Sequence, residues 1–251
     1  MVESNALCIL ADPQHSLDVN LSESLQAGEV THRKAVGSLL YLSQITRTDI
    51  TFAVNFVSHY LEKPLIIHWN AVKRILKYLK GTYNYGLFFY SRVKLKLHGY
   101  SDADYAGDTT TRRSTSGYIF MMTNGIIAWC SQRQKSVALP TTEVEYMAPS
   151  QAVQELTWLT LLISDLLETQ GETPVLYTDN QSAIKLVKNP EFHKRTKHID
   201  VHYHYIREKI NEGMFSLEYV TSKEQLANIL TKPTPRTRCQ ELREMLGIID
   251  L

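Results

Sequence analysis

Between residues 32 and 81 apolar side chains return every three or four positions, and from residue 93 they return every two. The first regime holds three stretches, "RKAVGSLLYLSQI", "DITFAVNFVSHYL" and "HWNAVKRILKYLKG". Each gathers its apolar residues on one face, so the spacing predicts three helices in a small bundle. Asp49 is read as the N-cap of the second and Gly81 as the C-cap of the third. Residues 1–30 carry no clear period and are expected to be a poorly ordered leader or the remnant of something larger.

In the second regime "VKLKLHGYSD" alternates Leu95 and Leu97 with lysines, a half-buried strand that runs into acids. "TSGYIFMMTNGIIAWCSQ" then sets two apolar runs around Asn124-Gly125, a hairpin signal. Next come a long helical stretch, "EVEYMAPSQAVQELTWLTLLISDLLE", a strand "PVLYTD" and a helix "NQSAIKLVK". A polar helix "KHIDVHYHYIREKINE", a strand "FSLEYV" and a last helix opened by the capping box Ser222-x-x-Gln225 complete the order. Three meandering strands followed by strands reached through helices give an α/β fold, a mixed five-stranded sheet with flanking helices. The expected division is residues 1–30, a helical region at 31–92, and the sheet domain at 93–251.

Composition adds little except through its distribution. The 43% hydrophobic and 21% charged content is that of an ordinary globular protein, and no apolar run reaches membrane-spanning length. The N-terminal stretch lacks the basic flank and apolar core of a signal peptide, so secretion is not expected. Cys8, Cys130 and Cys239 are odd in number and lack CxxC spacing, which suits a reducing compartment and buried apolar roles. Net charge is only +1, yet Lys63 to Lys96 holds eight cations and no acid, with Tyr78, Tyr83, Tyr85 and Tyr90 interleaved. That segregation suits a phosphate-rich partner, with Lys73 and Lys77 as contacts; a solvated helix face is the simpler reading.

"GYSDADYAGD" concentrates Asp102, Asp104 and Asp108, but it is not a calcium loop: position 5 is Ala106 and position 12 is Arg113. Asp102 ends the first strand of the sheet and Asp179 the fourth, and Glu145 lies in the first turns of the long helix behind Thr141 or Thr142. Three converging acids repel one another unless a cation neutralises them, and an oxygen-only set favours Mg²⁺ or Mn²⁺. Two such ions, ~3.5–4 Å apart, are a kit for phosphodiester hydrolysis.

The strings "GYSDADYAGD", "RRSTSGYIF", "VALPTTEVEYMA", "YTDNQSAIKLVKNPEFHKRTKHIDVHYHYIREK" and "QLANILTKP" resemble the ribonuclease H domain of the copia-type retrotransposon Pol polyprotein. "VGSLLYLSQITRTDITFAVNFVSHYLEKP" and "HWNAVKRILKYLKGT" resemble the region that links polymerase to ribonuclease H in the same polyprotein. The matches run from about residue 31 to 248. The resemblance implies a ribonuclease H-like sheet, with Asp102, Glu145 and Asp179 holding two Mg²⁺ ions, Mn²⁺ being able to replace them. It implies hydrolysis of the RNA strand of an RNA–DNA hybrid, with Thr141, Thr142, Asn180 and Gln181 as candidate contacts to 2′-hydroxyls. The implied partners are the hybrid and the polymerase part of the same polyprotein, which this chain lacks. The implied setting is a cytoplasmic particle or the nucleus, without a membrane.

Three positions depart from the family's pattern. Asn228 stands in "LANILTK" where the family carries a fourth acid, which predicts weaker binding of one metal. Pro149 falls inside the long helix, where its ring meets the carbonyl of Glu145, and Thr48 replaces the usual proline of "TRPDI". No Asp-Asp dipeptide occurs, so the chain reads as a truncated copy without a polymerase centre. His198 and His202 lie one helical turn apart, but Ile199 stands where a zinc protease needs Glu. Two other readings are a relic that binds nucleic acid without cutting and a transposase nuclease; the order Asp, Glu, Asp disfavours the second.

Overall fold

A computed structural model describes residues 29–89, 95–104, 113–134, 141–168, 172–188 and 197–251; for 29–30, 141–148, 186, 188 and 197–203 it gives the backbone alone. In chain order the elements are α1 (Glu29–Ile45), a 3-10 turn (Thr48–Ile50), α2 (Thr51–Ser58), α3 (Ile66–Gly81), β1 (Tyr85–Leu87) and β2 (Leu97–Asp104). There follow β3 (Thr115–Met122), β4 (Gly125–Arg133), α4 (Thr141–Leu167), β5 (Val175–Thr178), α5 (Gln181–Lys188) and α6 (Lys197–Asn211). The last are β6 (Ser216–Tyr219), α7 (Asn228–Thr231), α8 (Arg236–Met245) and β7 (Ile248–Asp250). Among the described residues no helix is long and apolar enough to cross a membrane.

The chain forms two compact units. One joins the residues up to Phe88 to Lys232–Leu251, and the other is Phe89–Thr231. The last twenty residues, assigned to the sheet domain by sequence, therefore cluster with the helices. Their attachment is polar as well as apolar. Arg47 donates from Nε to Asp49 Oδ1 at 2.9 Å and from Nη2 to Oδ2 at 2.8 Å. Tyr78 donates its hydroxyl to Asp49 Oδ2 at 2.6 Å, and Arg243 of α8 donates to the Tyr78 oxygen at 2.9 Å. β7 pairs with β1 antiparallel, and Leu242, Leu246 and Ile248 are buried.

This network corrects three sequence expectations. Asp49 does not cap α2; its carboxylate is consumed by the buried ion pair, and α2 starts without a side-chain cap. Tyr78 is no surface stacking residue but is fully buried, with Val72 and Ile75, in the core of the helices. Burial and the Asp49 carboxylate push its phenol far above the ordinary range. Gly81 ends α3 but does not take the left-handed conformation; the cap is Thr82, whose N–H reaches Leu79 O. Cys239 is buried and Cys130 half-buried, while Cys8 lies outside the described residues.

In the sheet unit the strand order is β4-β3-β2-β5-β6. β2 is antiparallel to β3 and parallel to β5, and β5 is parallel to β6. This is the mixed five-stranded sheet with flanking helices that the alternating periods predict. The hairpin turns on Thr123, which takes φ 60°, and Asn124; Gly125 opens β4, where an added Cβ would lie 2.2 Å from the Phe89 ring. Leu97 is buried, but Leu95 precedes β2 and is exposed. Phe120, Ala152, Val153, Leu156, Leu176, Ile206 and Leu217 form the core beneath the helices.

Two local expectations resolve differently from one another. α4 continues through Pro149, so the carbonyl of Glu145 loses its usual helical donor while the helix persists. Ser222 and Gln225 do not open a helix; the chain turns there, and α7 begins only at Asn228. Both side chains are directed to the strand ends instead.

Candidate active site

β2 and β5 lie side by side at the centre of the sheet, with an antiparallel neighbour on one flank and a parallel one on the other. Sites form where connections diverge in this way. β2 and β5 pair from His98–Val175 to Tyr100–Tyr177; Asp102 lies two residues further along β2, inside the strand rather than ending it as the sequence pattern predicts, and Asp179 follows β5. The two tyrosines stack at 5.2 Å between ring centroids, and burial pushes both phenols up.

Asp102 is only 7% exposed. Its Oδ2 accepts a short hydrogen bond from the hydroxyl of Thr231 on α7. Across the β2–β3 pair Asp102 faces Gly117, and a Cβ there would lie 2.9 Å from Leu230 Cβ and 2.9 Å from Thr231 Cγ2. The glycine is what lets α7 rest on the sheet beside Asp102. Ser131 of β4 fastens the same helix by donating to Leu230 O at 2.6 Å.

Asp179 follows β5, and its Oδ2 accepts from Ser222 Oγ at 3.0 Å. The carbonyl of Ser222 in turn accepts from Asn228 Nδ2 at 3.1 Å. Asn228 is buried and its Oδ1 has no hydrogen-bond partner, an acceptor facing no donor. Gln225, fully buried, donates from Nε2 to the carbonyl of Ser101 at 3.0 Å and accepts the N–H of Ala227. Every one of these bonds runs from the turn before α7, or from α7 itself, to a strand end or within that segment.

The structure thus brings Asp102, Asp179 and Asn228 to one end of the sheet. Glu145, Thr141 and Thr142 lie on the first turns of α4, where the backbone alone is described. The side chains of His198 and His202 likewise lie outside the described residues. Asn180 caps α5, its Oδ1 accepting the N–H of Ala183 at 3.0 Å, and Gln181 is exposed. Lys73 and Lys77 sit half-buried on α3, away from the face that buries His68, Val72, Ile75 and Tyr78. Of the interleaved tyrosines, Tyr83 is 80% exposed, Tyr85 lies 4.6 Å beneath the Arg243 guanidinium, and Tyr90 is outside the described residues. Sequence reasoning missed Thr231, Ser222, Gln225 and Gly117; only the strand-interior glycine carried a signal.

The donor chemistry fits a hard divalent cation. The residues at this end include two carboxylates, Asp102 and Asp179, and the unpartnered amide oxygen of Asn228 is a neutral acceptor. Among the described residues no three His, Cys, Asp or Glu side chains group as metal ligands, and the Glu145 side chain stands outside that set.

No protein-family profile matches the chain. It is 43% identical over 218 residues to the retrovirus-related Pol polyprotein from transposon RE2 of Arabidopsis thaliana, covering 87% of this chain and 15% of that one. It is 43% identical over 228 residues to the corresponding polyprotein from transposon TNT 1-94 of Nicotiana tabacum, covering 91% of this chain and 17% of that one. The chain belongs to the copia-type retrotransposon Pol polyproteins. It spans under a fifth of the length of these two Pol relatives. Among solved structures it is similar to LC11-RNase H1 in complex with RNA/DNA hybrid, at 11% identity and TM-score 0.41, covering 54% of this chain and 94% of that one. Asp102 in "YSDAD" and Asp179 in "YTDN" are the two acids that hydrogen bonds tie to Thr221–Thr231, and Asn228 of "LANILTK" lies in that segment.

Proposed function

We propose that the sheet unit is a divalent-metal-dependent ribonuclease H that cuts the RNA strand of RNA–DNA hybrids. The observation that carries this reading is that one segment, Thr221–Thr231, holds both Asp102 and Asp179 by hydrogen bonds, past the same end of the β2–β5 pairing. Asp102, Asp179 and Glu145 would hold Mg²⁺ or Mn²⁺, with Asn228 Oδ1 as a neutral oxygen donor. The chemistry such ions would supply when bound is activation of the attacking water and stabilisation of the leaving oxygen. The chain's own residues supply position: the hydroxyls of Thr231 and Ser222 fix one oxygen of each aspartate. Gln181, the amide nitrogen of Asn180, and Thr141 and Thr142 are the candidate contacts to 2′-hydroxyls. Lys73 and Lys77 would meet phosphates, a sequence-independent and salt-sensitive contribution. The polymerase part of the polyprotein would supply further grip on the hybrid, in a cytoplasmic particle or the nucleus.

A second reading, a relic that binds hybrid without cutting, is favoured by two observations. Asn228 removes one negative charge from the site, and Pro149 strips the helical donor from the carbonyl of Glu145. Incubating purified protein with end-labelled hybrid and Mg²⁺ or Mn²⁺ separates the two. Cleavage that an Asp102→Asn variant lacks supports the nuclease; hybrid retention with no cleavage above that variant supports the relic.

A further inference from the structure

We infer that Thr221–Thr231 is a clamp that fixes the two strand-end carboxylates in the metal-free protein, with Thr231 and Ser222 as its positioning residues. This rests on the nuclease reading of the site, whose ligands the clamp would hold.

Two carboxylates brought past the same end of a parallel strand pair repel each other, and a cation offsets that repulsion. Here each gives one oxygen to a neutral hydroxyl, Asp102 to Thr231 and Asp179 to Ser222. Both donors come from a single eleven-residue segment, so the two carboxylates are tied to the same piece of backbone. That segment is itself anchored at three points. Gln225 donates to the carbonyl of Ser101, the residue before Asp102. Ser131 holds Leu230 O, and Gly117 leaves the space that α7 fills.

Asn228 closes the arrangement in a way that an acid could not. Its Nδ2 donates to the carbonyl of Ser222, fixing the residue that holds Asp179. A carboxylate has no proton to give at neutral pH and would set its oxygen against that carbonyl. The neutral residue therefore surrenders a charge and gains a fastening. Positioning a ligand in this manner raises metal affinity by sparing the bound state the cost of ordering its ligands.

The test is a Mn²⁺ titration of the whole chain, following free Mn²⁺ by electron paramagnetic resonance, beside cleavage of labelled hybrid. Thr231→Val and Ser222→Ala are each expected to weaken Asp102-dependent Mn²⁺ binding about tenfold. Thr231→Ser and Ser222→Thr, which keep the hydroxyl, are expected to restore it, and kcat at saturating Mn²⁺ is expected to stay within about twofold. Thr231 is buried, so Thr231→Val is checked by thermal unfolding; Ser222 is exposed, and its variant carries the test if Thr231→Val does not fold. Binding unchanged or tighter in Ser222→Ala, or no rescue by Ser222→Thr, overturns the clamp even where the wild type cuts. Weakened binding with no cleavage by any form sustains the clamp and removes the nuclease. No Asp102-dependent Mn²⁺ binding by the wild type removes both.

Discussion

Arg243 donates a 2.9 Å hydrogen bond to the buried hydroxyl of Tyr78, 165 residues earlier in the chain. The pair is the outer end of a chain of charge that continues through Asp49 to Arg47 and on to Thr82, whose carbonyl and hydroxyl accept from Arg47 at 2.9 and 2.7 Å. Asp49 is the sole acid in it, so its removal leaves two buried guanidinium groups without a counter-charge. Asp49→Ala is expected to cost about 3–5 kcal/mol, and Arg243→Met about 1–2 kcal/mol because Tyr78 keeps Asp49 as acceptor. Urea denaturation of the two variants reads the difference, and equal losses would show that Arg243 is as central as Asp49.

Thr48 opens the 3-10 turn fully buried, and its hydroxyl has no hydrogen-bond partner. A proline there would remove the stranded hydroxyl and restrict the unfolded chain, and its missing N–H is tolerated at the first position of a helical turn. Thr48→Pro is expected to stabilise the protein by about 1 kcal/mol. A denaturation midpoint below wild type would show that the local φ does not suit the ring.

Acid should loosen the helices. His32 and His68 are buried, and both nitrogens of His32 and Nε2 of His68 lack partners. His68 Nδ1 accepts the N–H of Leu65 at 3.0 Å, which fixes the proton on Nε2. Burial, and then the charge of His32, hold His68 down at about 4, while burial lowers His32. Because the folded-state values are depressed, the unfolded chain binds protons first as pH falls through 6.5. Stability is therefore full above that pH and declines towards pH 4, by on the order of 2 kcal/mol at pH 5 from His68 alone. Urea midpoints at pH 7.5 and 5 measure the fall, and His68→Asn should flatten it.

Restoring the acid at position 228 should bind stability to metal. Asn228→Asp breaks the donor bond to Ser222 O and adds a buried negative charge near Asp102 and Asp179. The metal-free variant is expected to melt several degrees below wild type and to gain more than wild type when Mn²⁺ is added. Equal Mn²⁺-induced shifts in the two proteins would count against position 228 as a metal neighbour.

The alternation of β2, the Asn124-Gly125 turn and the helical crossovers were readable because each is local, and together they leave few topologies. Asp102 and Asp179 stand out in the sequence because each acid breaks an apolar strand pattern, but the strand's continuation past Asp102 to Asp104 was not legible. Thr231 was not: within "NILT" a threonine is indistinguishable from a buried methyl-bearing residue until its Asp102 partner is known. α8 was missed for a related reason. "RTRCQELREM" presents few apolar residues, and its burial of Cys239 and Leu242 depends on a bonding partner, Tyr78, that no local window contains. Ser222 and Gln225 were misread because hydroxyl and amide groups that suit a helix cap suit any nearby acceptor equally well.

The two-ended helical unit has a consequence for biosynthesis. Residues 232–251 are made after the whole sheet unit, yet they complete the packing around Tyr78, which is made before it. The sheet unit, contiguous from Phe89 to Thr231, can fold as it emerges, whereas the helices wait with an open flank until residues 232–251 have been made. A chain interrupted before Arg243 would expose that flank, so damage at the late segment is felt in the helices around Tyr78, encoded 165 residues earlier.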